Sequence, residues 1–435
     1  MPTTLATQRT PPEPIVHKAP RHNRQHNRPR RPRHNRPRSC ETQPSTKVRD
    51  FTVPNTRRHP DGERNRPQYP SASRRGTEPS PESPQPIECP VAAPRIPLIV
   101  DVDTGIDDSL ALLYLLASPE AELIGITCTA GNVNARQVAI NNLAWLELCN
   151  APEVEVALGA EVPIITALMT TEETHGPQGI GYAELPAPTR RLSARHAIEV
   201  WIDNARRRPS EITGLITGPL TNLALAVKLE PELPRLLKRI VVMGGAFNHP
   251  GNTTPTTEWN IAVDPDAAKI VFDAFSELPD DRRPVICALD VTERIELHPH
   301  HVAELARVAG STPDEVLHPD DEPGTRSTAS NRVIRHLSDA VRFYMEFHRR
   351  YDQGYLAHLH DPFAAAVALD PGLATLRPAT VDVELAGTLT RGQTVADWRG
   401  MWGRRPNADI VVDTDPDEFF RRTIERVGAL ARSLN

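Results

Sequence analysis

The chain has 435 residues, 24% of them charged, with 44 prolines, 23 glycines, five cysteines and a formal net charge of −6. That length allows one large domain or two ordinary ones, and no apolar run is long enough to cross a bilayer. Cys40, Cys89, Cys128, Cys149 and Cys287 are scattered, odd in number and form no Cys-x-x-Cys pair, which argues against a disulfide scaffold or a cysteine zinc module and for a reducing, cytoplasmic setting.

Charge divides the chain. Residues 1–94 hold 19 of the 44 prolines and 18 basic against 8 acidic residues, so residues 95–435 carry a net −16. The head has almost no apolar periodicity and cannot bury a core, so it reads as a disordered, basic Pro/Arg-rich tail. Its repeat, His26-Asn-Arg-Pro-Arg30 and His34-Asn-Arg-Pro-Arg38, suits a weak polyanion-binding arm. Arginine-rich low complexity carries little specificity, however, and the favoured expectation is a solvated tail, or a true start near Val91. The segment has no apolar core of a secretory signal, and its prolines oppose an amphipathic transit helix.

From residue 95 onward, short apolar runs alternate with helical patterns. The first run, Ile96–Val100, ends in Asp101, Asp103, Asp107 and Asp108, and the amphipathic stretch Leu110–Leu116 follows at once. Four crowded carboxylates repel one another and resist burial unless a cation neutralises them. Helix capping accounts for one or two of them; a hard divalent cation with oxygen ligands accounts for all four. Further strands are expected at 122–129, 154–158, 212–217, 240–243, 285–289, 380–385 and 409–412. Helices are expected at 107–117, 136–148, 194–207 (capped by Ser193) and 266–275. Apolar strands alternating with helices predict an α/β fold: an open, mostly parallel sheet flanked by helices, forming one domain over 95–435. Residues 159–192 are expected to form a lid and residues 310–327 a solvated insertion. Asp413 and Asp415 are expected to cap the last helix.

In such sheets the ligand lies beyond the carboxyl ends of the strands. The polar residues found there are Gly131-Asn132 after the second run, Thr217-Gly-Pro-Leu-Thr-Asn222 after the run at 212, and Met243-Gly-Gly245 after the run at 240. Asn252, Glu258 and Asn260 follow, and His360-Asp361-Pro362 opens a late helix. Thr221 and Asn222 look like helix-start chemistry. Trp259 is expected to face the core, and Tyr344, Tyr351 and Tyr355 either to pack or to cover a ligand.

With these pieces in this order, the body resembles the inosine–uridine nucleoside hydrolase family over about residues 95–430; residues 1–94 have no counterpart. The resemblance implies a Ca2+ ion held by Asp103, Asp108, Asp361 and the main-chain oxygen of Thr217. It implies a ribonucleoside bound by Asp107, Asn132, His175, Met243, Asn252, Glu258 and Asn260. Asp103 becomes the general base and His360 the acid at the leaving base. The implied activity is hydrolysis of the N-glycosidic bond of ribonucleosides, of the pyrimidine or inosine/uridine type, in nucleoside salvage, by a homodimer or homotetramer. His360 fits that type rather than a purine-specific one that stacks the base on tryptophans. Two other readings stand beside it. One is a haloacid-dehalogenase-like Mg-dependent phosphatase with Asp101 as nucleophile, against which Gly105 stands where that motif wants Thr or Val. The other is a non-enzymatic metal-bound module whose tail contacts nucleic acid.

Overall fold

The computed structural model describes residues 95–313 and 316–435; the expectations for residues 1–94 lie outside them. Its strands are β1 (Ile96–Val102), β2 (Ala121–Cys128), β3 (Val156–Leu158), β4 (Thr213–Ile216), β5 (Arg239–Met243), β6 (Val285–Cys287), β7 (Glu296–Leu297), β8 (Ala357–His358), β9 (Ala374–Val383), β10 (Thr394–Asp397) and β11 (Ala408–Thr414). Nine of them form one sheet in the order β10-β9-β11-β6-β5-β4-β1-β2-β3, while β7 and β8 pair separately. Every pairing from β11 to β3 is parallel; β9 runs antiparallel to both its neighbours. The open, mostly parallel sheet read from the sequence is therefore observed.

The sheet is buried on both faces because helical crossovers cover it on both sides. Side chains alternate between the layers. On β1, Leu98, Val100 and Val102 pack with the helices Ile106–Leu116 and Ala135–Leu148, whereas Ile99 joins Trp201, Leu223 and Phe272 in the opposite layer. β5 divides likewise, Val241 and Met243 on one side and Ile240 and Val242 on the other.

Strand order reverses between β1 and β4. The chain leaves β1 toward β2 and β3, then returns to β4 on the other flank. Connections that diverge from neighbouring parallel strands leave a crevice at their carboxyl ends. Asp103 and Thr217 are the first residues beyond β1 and β4, so the fold itself brings these two expected site residues to one crevice.

Several local expectations change. Helix Ala197–Arg207 is capped by His196, not Ser193; Ser193 Oγ instead donates to Glu155 and accepts from the Arg195 amide. β9 begins at Ala374, earlier than expected, because its first five positions are partly or fully exposed and carry no apolar run. Asp415 caps the last helix, accepting from the Asp417 and Glu418 amides, while Asp413 pairs with Arg294 at 2.7 Å. Within 310–327, Asp321 accepts from Arg342 (2.6 Å) and the Gly324 amide donates to Glu346 (3.1 Å). Most of the described residues of the segment are exposed, as expected of a solvated insertion, and these two bonds pin it to helix Arg332–Arg350.

The expected lid packs on the same helix. Tyr182 donates to Glu346 at 2.7 Å and meets Phe343 edge-on at 4.9 Å. Gly181 makes the fit: its φ is +58°, and a Cβ there would lie 2.7 Å from the Ala340 carbonyl. Gly181→Ala should therefore cost about 1–3 kcal/mol, read as a fall in the denaturant midpoint. An unshifted midpoint would show that this segment does not share in global stability.

Candidate active site

The sequence pattern of the four acids is resolved by strand geometry. Asp101, still on β1, points into the layer of Trp201. Its carboxylate accepts from the Trp201 indole (3.2 Å) and the Asn222 amide (2.8 Å), and burial pushes its pKa up to about 7 against these two bonds. Asn222 also accepts from the Ala160 amide, and Thr221 donates to Asp264. Asp101, Thr221 and Asn222 therefore tie elements together beneath the crevice.

Asp103 lies just past the strand. One carboxylate oxygen accepts from the Asn132 amide at 2.8 Å; the other, Oδ1, is buried without a partner. The turn at Gly131 leaves no room for a side chain, since a Cβ there would fall 2.1 Å from Asp103 Oδ2. Asp107 and Asp108 occupy the first turn of helix Ile106–Leu116, where the exposed amides favour negative charge. Asp108 accepts from the Thr217 hydroxyl (2.7 Å), the Gly105 amide (2.8 Å) and the Asn132 side chain (3.5 Å).

Asp361 arrives from helix His360–Leu369. Oxygens of Asp107, Asp108 and Asp361 all lie within 4.8 Å of one another. Burial, reinforced by the neighbouring carboxylates, holds Asp103 and Asp361 well above the usual carboxylate range and raises Asp107 to about 7. Asp103 stands beside this trio rather than within it. The main-chain oxygen of Thr217 already accepts from Asn260 at 2.8 Å, leaving its second lone pair.

Above the acids opens a cavity of about 760 Å³. Asp107, Asn132, His175, Thr217, Met243, Asn252, Glu258, Asn260, His360 and Asp361 line it; Asp103 and Asp108 lie beneath. Glu258 caps helix Trp259–Val263, accepting from the Gly245, Asn260 and Ile261 amides. Asn260 also bonds the Met243 carbonyl at 3.2 Å. Asn132 Oδ1 is buried and unpaired. Asn252 is exposed at the mouth. His175 Nδ1 accepts from the Ile106 amide at 3.1 Å, so the ring proton resides on Nε2. Burial and then His348 lower its pKa to about 3. His360 Nδ1 bonds Thr292 Oγ1 at 2.8 Å.

The family model for inosine-uridine preferring nucleoside hydrolase matches residues 98–421. The chain belongs to this family. The pyrimidine-specific ribonucleoside hydrolase RihA of Enterobacter sp. (strain 638) is 37% identical over 333 residues, 76% of this chain and 97% of that protein. RihA of Salmonella agona (strain SL483) is 35% identical, over 76% and 98%. Among solved structures, a purine-preferring ribonucleoside hydrolase from Gardnerella vaginalis superposes with a TM-score of 0.68 at 32% identity, covering 78% of this chain and 99% of that one. The plant nucleoside hydrolase PpNRh1 gives 0.67 at 28%, covering 77% and 100%.

As a member of this family the chain is a nucleoside hydrolase, and its pocket contains more than the sequence suggested. His249, Glu293, His348 and His358 also line it. His358 stands two residues before His360 in the stretch His-Leu-His-Asp-Pro, and His348 is i+4 from Tyr344 on one long helix; His249 and Glu293 carry no local signal. Rings run in series along the wall: His175 to Tyr344 (5.3 Å), Tyr344 to His348 (4.5 Å), His348 to His358 (4.9 Å) and His358 to His360 (5.6 Å). Trp259 lines the pocket too, contrary to the expectation that it faces the core. Tyr344 and Tyr351 line it, whereas Tyr355 lies outside, under Arg349.

Burial keeps His348 neutral, with its pKa lowered from 6.5 to about 4. The unfolded state then binds the extra proton between those values, so stability falls as pH drops from 6.5 toward 4. His348→Phe should remove part of that loss, about 2 kcal/mol at pH 4, seen as a smaller fall in melting temperature between pH 7 and 4.5. Parallel pH curves for the two proteins would contradict it.

Proposed function

We propose that this chain hydrolyses the N-glycosidic bond of ribonucleosides, of the pyrimidine or inosine/uridine type, with Ca2+ at the carboxylate cluster. The observation that carries the reading is the convergence of Asp107, Asp108 and Asp361 beneath a cavity, with the unpaired Oδ1 of Asp103 beside them. Among the described residues no Lys or Arg lines that cavity, so no permanent cation of the protein neutralises the acids there. All the donors are oxygens, a carbonyl included, which suits a hard cation that accepts many flexible ligands, calcium before magnesium. Asp103, Asp108, Asp361 and the Thr217 carbonyl would hold it. The cation would contribute charge neutralisation, a grip on the ribose diol and an acidified water.

The remaining roles fall to side chains. Asp103 Oδ1, which lacks any hydrogen-bond partner, takes the proton of the attacking water as general base. Asp107, Asn132, Asn252, Glu258 and Asn260 fix the ribose hydroxyls, and Met243 packs under the ring. The acids nearby favour the positive charge that develops on the sugar as the bond to the base breaks. Anchoring the ribose turns binding at a distance from the reacting carbon into rate. His360 protonates the departing base, and His175 presents an Nε2–H to the same pocket. The RihA relatives support a pyrimidine base. Release of base and ribose is a salvage reaction, and a cytoplasmic homodimer or homotetramer is the proposed working form. No helix among the described residues is long and apolar enough to cross a membrane. The phosphatase reading lacks a nucleophile, because Asp101 is held by Trp201 and Asn222 and does not line the cavity.

Base release from uridine, cytidine, inosine, adenosine and guanosine should be detectable for at least one pyrimidine nucleoside and abolished by a chelator, then restored by calcium. Asp108→Ala should lose calcium binding by calorimetry; turnover that survives metal stripping would refute the scheme. His360→Ala should lower kcat on nucleosides by about 10²–10³ yet far less on p-nitrophenyl riboside, whose leaving group needs no proton. Equal losses on the two substrates would take the acid role from His360.

A further inference from the structure

The wall beside His360 is built to accept hydrogen bonds. Glu293 follows Thr292, the partner of His360 Nδ1, and its side chain lines the cavity. His249 stands 3.5 Å from the Glu293 carboxylate through Nε2. Its Nδ1 contacts the Pro250 carbonyl at 2.9 Å. A carbonyl only accepts, so Nδ1 carries the proton, and in the neutral ring Nε2 offers a lone pair. His348 repeats the arrangement: Nδ1 donates to the Tyr344 carbonyl at 2.9 Å, and Nε2 is left with the lone pair. Glu293, His249 and His348 line the same cavity, where the carboxylate and the Nε2 atoms of the neutral rings are acceptors.

From this arrangement we infer that Glu293, with His249 and His348, selects the nucleobase by an exocyclic amino group, favouring cytidine over uridine. An amino group supplies the missing donors: one N–H for the carboxylate and one for a neighbouring imidazole nitrogen. A carboxylate is the natural acceptor for the cytosine amine. The oxo group that uracil carries at the same position would set an acceptor against acceptors. A site arranged to bond a polar group discriminates strongly against the analogue lacking it, because its own groups are then left unpaired. The same logic ranks adenosine above inosine if purines enter. Glu293, His249 and His348 are specificity residues here, distinct from the carboxylates of the floor.

The inference rests on the riboside-hydrolase reading for its substrate, so the test separates binding from turnover. Calorimetry with free cytosine and free uracil on the calcium-loaded protein should show cytosine binding about tenfold tighter. The kcat/KM ratio of cytidine to uridine should show the same preference. Glu293→Gln, whose amide offers a donor as well as an acceptor, should reduce both ratios at least fivefold. His348→Phe, which keeps the ring and loses the acceptor, should reduce them less. Cytosine preference without hydrolysis of any nucleoside would overturn the reaction and leave the recognition standing. Hydrolysis with equal or uracil-favouring ratios in the parent protein, or ratios indifferent to both substitutions, would overturn the recognition and leave the reaction standing.

Discussion

Five carboxylates buried at the carboxyl edge of one sheet set the terms for the rest of the molecule. Each resists losing water, and crowding makes every neighbour worse. Asp101 is satisfied by two side-chain N–H groups, Asp108 by a hydroxyl and an amide, and one oxygen of Asp103 by an amide. What these bonds do not compensate is concentrated where Asp107, Asp108 and Asp361 meet. The structure thus stores an unfavourable negative potential at one point, aimed into a cavity. A cation bound there would relieve it, as would positive charge developing on a sugar.

Sheet topology concentrates the acids. The reversal of strand order at β1 and β4 places Asp103 beside Thr217, and the glycine at 131 lets the next loop close on Asp103. The N-terminal turn of helix Ile106–Leu116 then carries Asp107 and Asp108 where unpaired backbone amides tolerate negative charge. Asp361 enters from a different helix, and its neighbour His360 reaches the wall above. The floor therefore comes from the ends of β1 and β4, the first helical turn after β1 and one late helix, the wall largely from segments beyond residue 245.

That division explains what the sequence could reveal. The floor was legible because a buried strand ending in four acids is a local pattern, and because apolar runs alternating with helices specify a parallel sheet. Asp361 became legible only through the family order of motifs, since 250 residues separate it from the others. The wall was legible only in part: His175 and His360 stand in the family's motifs, whereas His249, Glu293 and His348 look like ordinary polar residues on a loop, a helix end and a helix. Trp259 misled because an indole beside a capping glutamate usually packs inward. The polar, proline-rich composition of residues 310–327 correctly suggested solvation, but not the anchoring of Asp321 and Gly324 on helix Arg332–Arg350.

Asp101 and Asp103 meet different surroundings only two residues apart because β1 ends between them, at Val102. Through Asp101, helix Ala197–Arg207 is fastened to the strand that carries the floor, although none of its residues lines the cavity. The helical layer remote from the pocket therefore cannot be repacked on hydrophobic volume alone. Phenylalanine at position 201 would fill nearly the same space as Trp201 but leave a buried carboxylate one N–H short. The limits on sequence change in this enzyme extend through the sheet to its far side, following a hydrogen bond rather than proximity to substrate.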